Sequence, residues 1–219
     1  MPETTTFNSL RTDMKTYLER GGSATSDPEV FAQIPRLINA SERNISDRLK
    51  LLGQIEVLRD LSGLVINQAI ITKPDRWRQT VSLKFGTGTG ANTLNPLFPR
   101  SLEYCQMYWP DQTAVGVPEF YADYDYQHYL IVPTPQATYP MLGVFYMQPQ
   151  LLDEQNETNF YAIYTPNALL YGALLEAAPY LKNDERIPVW EKKFNEALGL
   201  LNGQDLQRIL DRAVERTKP

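Results

Sequence analysis

Histidine, cysteine and a glycine-rich turn are the residues from which chemistry is usually built, and each occurs once here. His128 is the only histidine in 219 residues. It lies between Tyr126 and Tyr129 in a segment that reads as a strand, with no second histidine to build an acid–base pair or a metal cluster. Cys105, in Tyr104-Cys105-Gln106-Met107-Tyr108, has the alternation of a half-buried strand. A nucleophilic thiolate needs a base and an electropositive surround, and the sequence supplies neither. A single cysteine also excludes an internal disulfide and any multi-cysteine zinc site. Gly86-Thr87-Gly88-Thr89-Gly90-Ala91 matches the dinucleotide pattern G-x-G-x-x-A. A phosphate turn must open a helix, however, and the stretch from Asn92 to Pro99 contains two prolines and reads as loop. Asp123 and Asp125 share one face of a strand, which is ordinary for an exposed strand. These residues predict no catalytic site, no metal and no cofactor.

What must hold them is set by two textures. The almost wholly apolar segment to Leu181 has only Asn167, Gly172 and Glu176 as breaks, and Thr165-Pro166 opens it with a capping residue and a first-turn proline. A helix apolar on nearly every side is a core helix, and this one is shorter than the roughly 20 residues that span a bilayer. After a charged turn from Lys182 to Ile187, Trp190, Phe194, Ala197, Leu198 and Leu201 fall at offsets of 4, 7, 8 and 11 from the first, a second amphipathic helix folded back on it. Near the N-terminus Phe7, Leu10, Met14, Tyr17 and Leu18 form a helical stripe stopped by Gly21-Gly22, and Ser23 to Ser26 reads as linker. Asp27-Pro28 starts a piece that Pro35 kinks or restarts, followed by Leu37, Ile38, Ile45, Leu49 and Leu52.

Between these helical parts the texture is extended. Strands are expected over 54–61, 64–71, 80–85, 102–109, 120–124, 126–132 and 141–146, with a turn at Ser62-Gly63. Frequent prolines favour short antiparallel strands over a parallel sheet. Asn202-Gly203 reads as a break. After it Leu206, Ile209, Leu210, Ala213 and Val214 form a stripe opposite Asp205, Arg208, Asp211, Arg212, Glu215 and Arg216. This last helix either folds back on its own chain or projects as an arm seeking a groove. The expected fold is α+β. A helical bundle (1–52 with the hairpin 165–201) carries an inserted antiparallel β region (53–164) and an amphipathic C-terminal arm (202–219).

Charge narrows the partners. The net charge is −5, and no Lys or Arg occurs between Arg100 and Lys182, an interval holding Glu103, Asp111, Glu119, Asp123, Asp125, Asp153, Glu154, Glu157 and Glu176. Such a surface repels phosphates. It is a plain solvated face, a wall past which DNA slides, or the counterpart of a basic partner. Twelve tyrosines crowd 104–180, a composition suited to protein contacts once no basic residues stand beside them. A leaderless start and no membrane-length apolar run place the product in the cytosol, so the sequons at Asn39 and Asn156 are chance matches.

Several segments carry a likeness to a known family. They are Ile34-Pro35-Arg36-Leu37-Ile38-Asn39-Ala40-Ser41-Glu42-Arg43-Asn44-Ile45; Val117-Pro118-Glu119-Phe120-Tyr121 followed by Leu130-Ile131-Val132-Pro133-Thr134-Pro135; and above all Asn167 to Leu181 with Asp184, Arg186, Trp190 and Phe194 after it. In this order, and over nearly the whole chain apart from Gly86 to Pro99, the sequence resembles the head-to-tail adaptor (head-completion, or neck) proteins of tailed bacteriophages. The resemblance implies a non-enzymatic virion protein made in the host cytoplasm. Its partners would be copies of itself in a ring, typically twelve, the capsid portal, and a tail or nozzle protein, with DNA passing through the channel. On that reading Leu206, Arg208, Ile209, Arg212, Ala213 and Arg216 are the candidate portal face, and Asp111, Glu119, Asp123 and Asp125 face the channel or a partner. Another ring-forming tail component is the alternative, and a small cytosolic enzyme or ligand-binding module the remote one.

Overall fold

The computed structural model describes residues 5–18, 28–87, 93–181 and 185–215. The chain is α+β and divides into two units, one made of residues 1–54 and 148–219, the other of residues 55–147.

In the first unit, α1 (Phe7–Leu18) buries Phe7, Leu10, Met14 and Leu18, one side of a helix, while Tyr17 stays exposed. α2 (Pro28–Arg48) runs through Pro35 without stopping and buries Ile34, Leu37, Ile38, Ser41, Glu42 and Ile45. α4 (Phe160–Tyr164) leads directly into α5 (Pro166–Glu176), and Thr165 is the hinge. Its hydroxyl donates to the Tyr161 carbonyl at 3.2 Å, so Thr165 closes α4 and offers no side-chain cap to α5, contrary to the expected role. α5 packs against α1, α2, α4 and α7 (Ile187–Glu215), which explains its lack of a polar face. It ends at Glu176, and a separate turn, α6 (Ala178–Leu181), follows. Pro179 has no N–H for the Leu175 carbonyl and its ring crowds that turn, so the expected single helix is split.

Close approach of α2 to α5 depends on Gly172. A Cβ there would sit 2.2 Å from Ser41 Oγ and 2.9 Å from the Phe194 ring. Ser41 Oγ in turn donates to the Leu169 carbonyl at 3.1 Å.

α7 departs from expectation. It continues through Asn202 and Gly203, so no break separates a C-terminal arm. The buried stripe Trp190, Phe194, Leu198, Leu201 therefore reaches its next position at Asp205, which is 5% exposed, whereas Leu206 beside it is 52% exposed. Asp205 Oδ2 accepts the Leu52 N–H at 2.8 Å, and Gln54 Oε1 accepts that of Leu51 at 3.0 Å. These side chains satisfy backbone groups where the chain leaves the helices.

The second unit is a seven-stranded sheet in the order β1 (Ile55–Leu64), β9 (Tyr139–Met147), β3 (Trp77–Thr87), β4 (Thr93–Pro99), β6 (Phe120–Asp123), β7 (His128–Val132), β2 (Ile70–Thr72). Most pairs are antiparallel, but β4 meets β6 in parallel, so the sheet is mixed rather than purely antiparallel; β5 (Val115–Gly116) and β8 (Thr134–Pro135) pair in parallel as a separate two-stranded sheet. β1 runs through Ser62-Gly63 in place of the expected turn, with a register shift between Leu61 and Leu64. The expected loop at 92–99 is β4 from Thr93 onward, and residues 88–91 of the glycine-rich stretch lie outside the described residues, as does the linker at 23–26.

β7 is buried on both faces. Tyr129 and Ile131 join Leu83, Phe85, Tyr121 and Phe145 on one side, and Leu130 and Val132 join Ala122 and Cys105 on the other. The second face needs a cover, and it explains the main correction: residues 102–108 are a helix, α3 (Leu102–Tyr108), not a strand. Leu102, Cys105 and Trp109 line its inner side at helical spacing, and Ser101 Oγ caps it by accepting the Tyr104 N–H at 3.2 Å. Cys105 is thus fully buried rather than half-buried, and burial pushes its thiol pKa up.

Candidate functional site

The four acidic residues singled out above all lie in the second unit and all remain exposed, yet each has a local duty. Asp111 Oδ1 accepts the Thr113 N–H at 2.9 Å and its hydroxyl at 2.6 Å, a closed turn after α3. The Thr113 hydroxyl bond, with that of its N–H, holds the Asp111 carboxyl below the usual range. Glu119 accepts the Tyr108 hydroxyl at 3.1 Å, which raises the phenol. Asp125 Oδ1 receives the N–H groups of Gln127 and His128, both at 2.7 Å, and shapes the turn between β6 and β7. The His128 ring lies 2.8 Å from Asp125 Oδ2 and depresses that carboxyl. His128, the first residue of β7, accordingly has a structural duty at the turn that leads into that strand.

Asp123 has a partner that sequence reasoning missed. Lys73 Nζ lies 2.7 Å from its Oδ1 and donates to the Asp125 carbonyl at 2.9 Å. The lysine side chain is only 3% exposed. Its ammonium sits over the Trp77 and Tyr129 rings at 3.9 and 4.9 Å from their centroids. A residue from before the cation-free interval thus returns a positive charge to it. Nothing local in the sequence signals this, because β2, which precedes Lys73, reaches β7 across more than fifty residues.

The first unit holds a second polar site that the sequence did not reveal. Glu42 is buried on α2. Its Oε2 accepts the Leu152 N–H at 3.1 Å, and the Asn159 amide donates to Oε1. The Asn39 amide, with its nitrogen turned toward Glu42, donates to Oε2 at 3.0 Å and to the Leu152 carbonyl at 2.9 Å. Desolvation outweighs these donors and pushes the Glu42 carboxyl up to about 7. The Asn39 sequon is therefore part of an internal network. Asn156 likewise spends its amide on the carbonyls of Gln150 and Leu151.

The C-terminal candidates divide. Leu206 is exposed; Arg208, Ile209, Arg212 and Ala213 lie on the described backbone of α7; Arg216 lies outside the described residues. Asp205, expected on the charged side, belongs to the core. On the second unit the outer side of α3 exposes Tyr104, Tyr108 and, at 83%, Met107, with the two tyrosine rings stacked at 6.0 Å. Tyrosine serves both purposes here, since Tyr121, Tyr129 and Tyr161 are core residues.

Among the described residues no group of His, Cys, Asp and Glu is arranged to hold a metal ion, and no helix is long and apolar enough to cross a membrane. Compared with protein families, residues 5–216 match the family described as SU10 adaptor protein. The chain belongs to that family. It is a phage head–tail adaptor, a structural component of the virion that works through contacts with other head and tail proteins. The match spans both units, so the α2, α5 and β6–β7 segments that carried the resemblance fall within one family. A search among curated proteins returned no match.

Proposed function

We propose that this adaptor forms a closed ring of twelve copies between the capsid portal and the tail or nozzle, with DNA passing through its channel. The observation that carries the reading is the family match over residues 5–216. Two features support its details. Asp111, Glu119, Asp123 and Asp125 stay exposed after their local hydrogen bonds are made, so a wall bearing them would let polyanionic DNA slide without adhering. The backbone of α7 runs on past the exposed Leu206 through the positions of Arg208, Ile209, Arg212 and Ala213, which with Arg216 in the sequence beyond it would form the face that meets the portal.

The test is a truncation placed by the core contact of Asp205. Removing residues from Asp205 onward would strip an acceptor from the Leu52 N–H, so the cut belongs after Gln207. The shortened chain is expected to keep its fold and lose portal binding in a pull-down. Portal binding undiminished by the cut would refute the docking role of this segment. Capture by a tail tube protein in place of the portal would move the ring into the tail itself.

A further inference from the structure

The seven-stranded sheet has a seam. One edge of β3 is paired with β9 from Trp77 to Phe85, whereas the other edge meets β4 only from Leu83 to Thr87. β4 in turn meets β6 over two residues, Phe98 and Pro99 against Phe120 and Tyr121. From Trp77 to Ser82, therefore, the β4-side edge of β3 has no strand beside it among the described residues. A cleft of about 310 Å³ opens there, lined by residues 77–81, 99–100 and 121–123.

The lining has a definite charge. Asp123 is committed to Lys73 at 2.7 Å, Arg78 has an interaction of its own, and the remaining charged residue of the lining, Arg100, is positive. Arg100 is exposed, its guanidinium spread over the Tyr104 and Phe120 rings at 5.6 and 5.4 Å, and no carboxylate among the described residues pairs with it. Val81 is also exposed, an apolar side chain on the open part of β3. This part of β3 shifts register against β9 between Trp77 and Gln79 and again between Thr80 and Ser82, and its incomplete edge offers backbone N–H and C=O groups, which suits a polypeptide and not a sugar–phosphate chain. An arginine fork beside that edge suits a carboxylate.

We propose that this seam is a docking site for an extended acidic peptide segment of a partner protein, which adds as a strand to β3 and sets a carboxylate against Arg100. The site is independent of the ring reading, because it can be measured on the free chain whether or not that chain assembles.

The experiment uses the full chain and an N-acetylated octapeptide alternating valine with glutamate. The comparison probes are the same peptide with lysine for glutamate, and single-stranded oligothymidine. Amide hydrogen exchange reads residues 77–82. The glutamate peptide is expected to slow exchange there by at least about tenfold, and Arg100→Glu to weaken its binding by about tenfold or more. Val81→Glu, which sets a like charge on the exposed part of β3, is expected to weaken it too. Should that variant fold poorly, the exposed Arg100→Glu decides alone. Equal binding of the lysine peptide, protection by oligothymidine in place of the peptide, or unchanged exchange at 77–82 with the glutamate peptide each overturns the proposal.

Discussion

Gly172 is where packing in the helical unit can be tested most sharply, because two other glycines in the same unit serve as internal controls. Replacing it with alanine places a methyl group 2.2 Å from Ser41 Oγ and 2.9 Å from Phe194. Alanine favours a helix over glycine by about 1 kcal/mol. Against this stand overpacking, about 1–3 kcal/mol, and displacement of the buried Ser41 hydroxyl from the Leu169 carbonyl, about 1–3 kcal/mol. The net expectation for Gly172→Ala is a loss of about 3 kcal/mol, or roughly 6–12 °C in Tm for a chain of this size. Gly199 and Gly203 lie in α7 with nothing within 4 Å of where a methyl group would sit, so Gly199→Ala and Gly203→Ala keep the propensity gain and raise stability by up to about 1 kcal/mol each. Thermal unfolding followed by helical circular dichroism measures all three. Adding Ser41→Ala to Gly172→Ala removes the closest clash and should recover about half of the loss. Stabilisation by Gly172→Ala comparable to that at the two control positions would refute the close approach of α2 to α5.

Two further predictions concern buried charge. Because the folded Glu42 carboxyl is raised to about 7 from 4.5, the folded state holds its proton more tightly than the unfolded chain does. Its contribution is therefore greatest below about 4.5 and is lost as pH climbs to about 7, by up to about 3 kcal/mol. Urea midpoints taken at acid and alkaline pH should show that slope, and Glu42→Gln should flatten it. For the Lys73–Asp123 pair, removing the exposed partner should cost more than removing the buried one. Asp123→Ala leaves an ammonium buried without a carboxylate, about 3 kcal/mol, while Lys73→Met leaves a solvated carboxylate and keeps the volume filled, about 1 kcal/mol. Equal losses in urea titrations of the two variants would contradict this asymmetry.

The helices are legible in the sequence wherever burial follows a single period. Phe7, Leu10, Met14 and Leu18 on α1, and Trp190, Phe194, Leu198 and Leu201 on α7, are buried as their spacing predicts. The almost wholly apolar α5 is likewise interior. A local cue misleads where it outranks a continuing one. Reading Asn202-Gly203 as a stop resets the phase of α7 and places Asp205 on the outside, although the stripe from Trp190 extends to it. In α3, the density of aromatic and apolar residues (Tyr104, Cys105, Met107, Tyr108, Trp109) imitates a strand, while the capping serine and the spacing of Leu102, Cys105 and Trp109 are the better signals. Why that stretch must be a helix is a tertiary fact, since it covers the second face of β7. The acidic candidates are visible as a run without cations, but their partners are not. Lys73 reaches Asp123 through strand pairing that no local pattern encodes, whereas His128 meets Asp125 three residues away across one turn.

The central claim, a ring between head and tail, is tested most directly by cryo-electron microscopy of virions in which this chain is traced. The account predicts a closed ring of twelve copies at the neck, contacting the portal and surrounding DNA. Density for the chain elsewhere in the particle, or single copies with no ring at the neck, would contradict it.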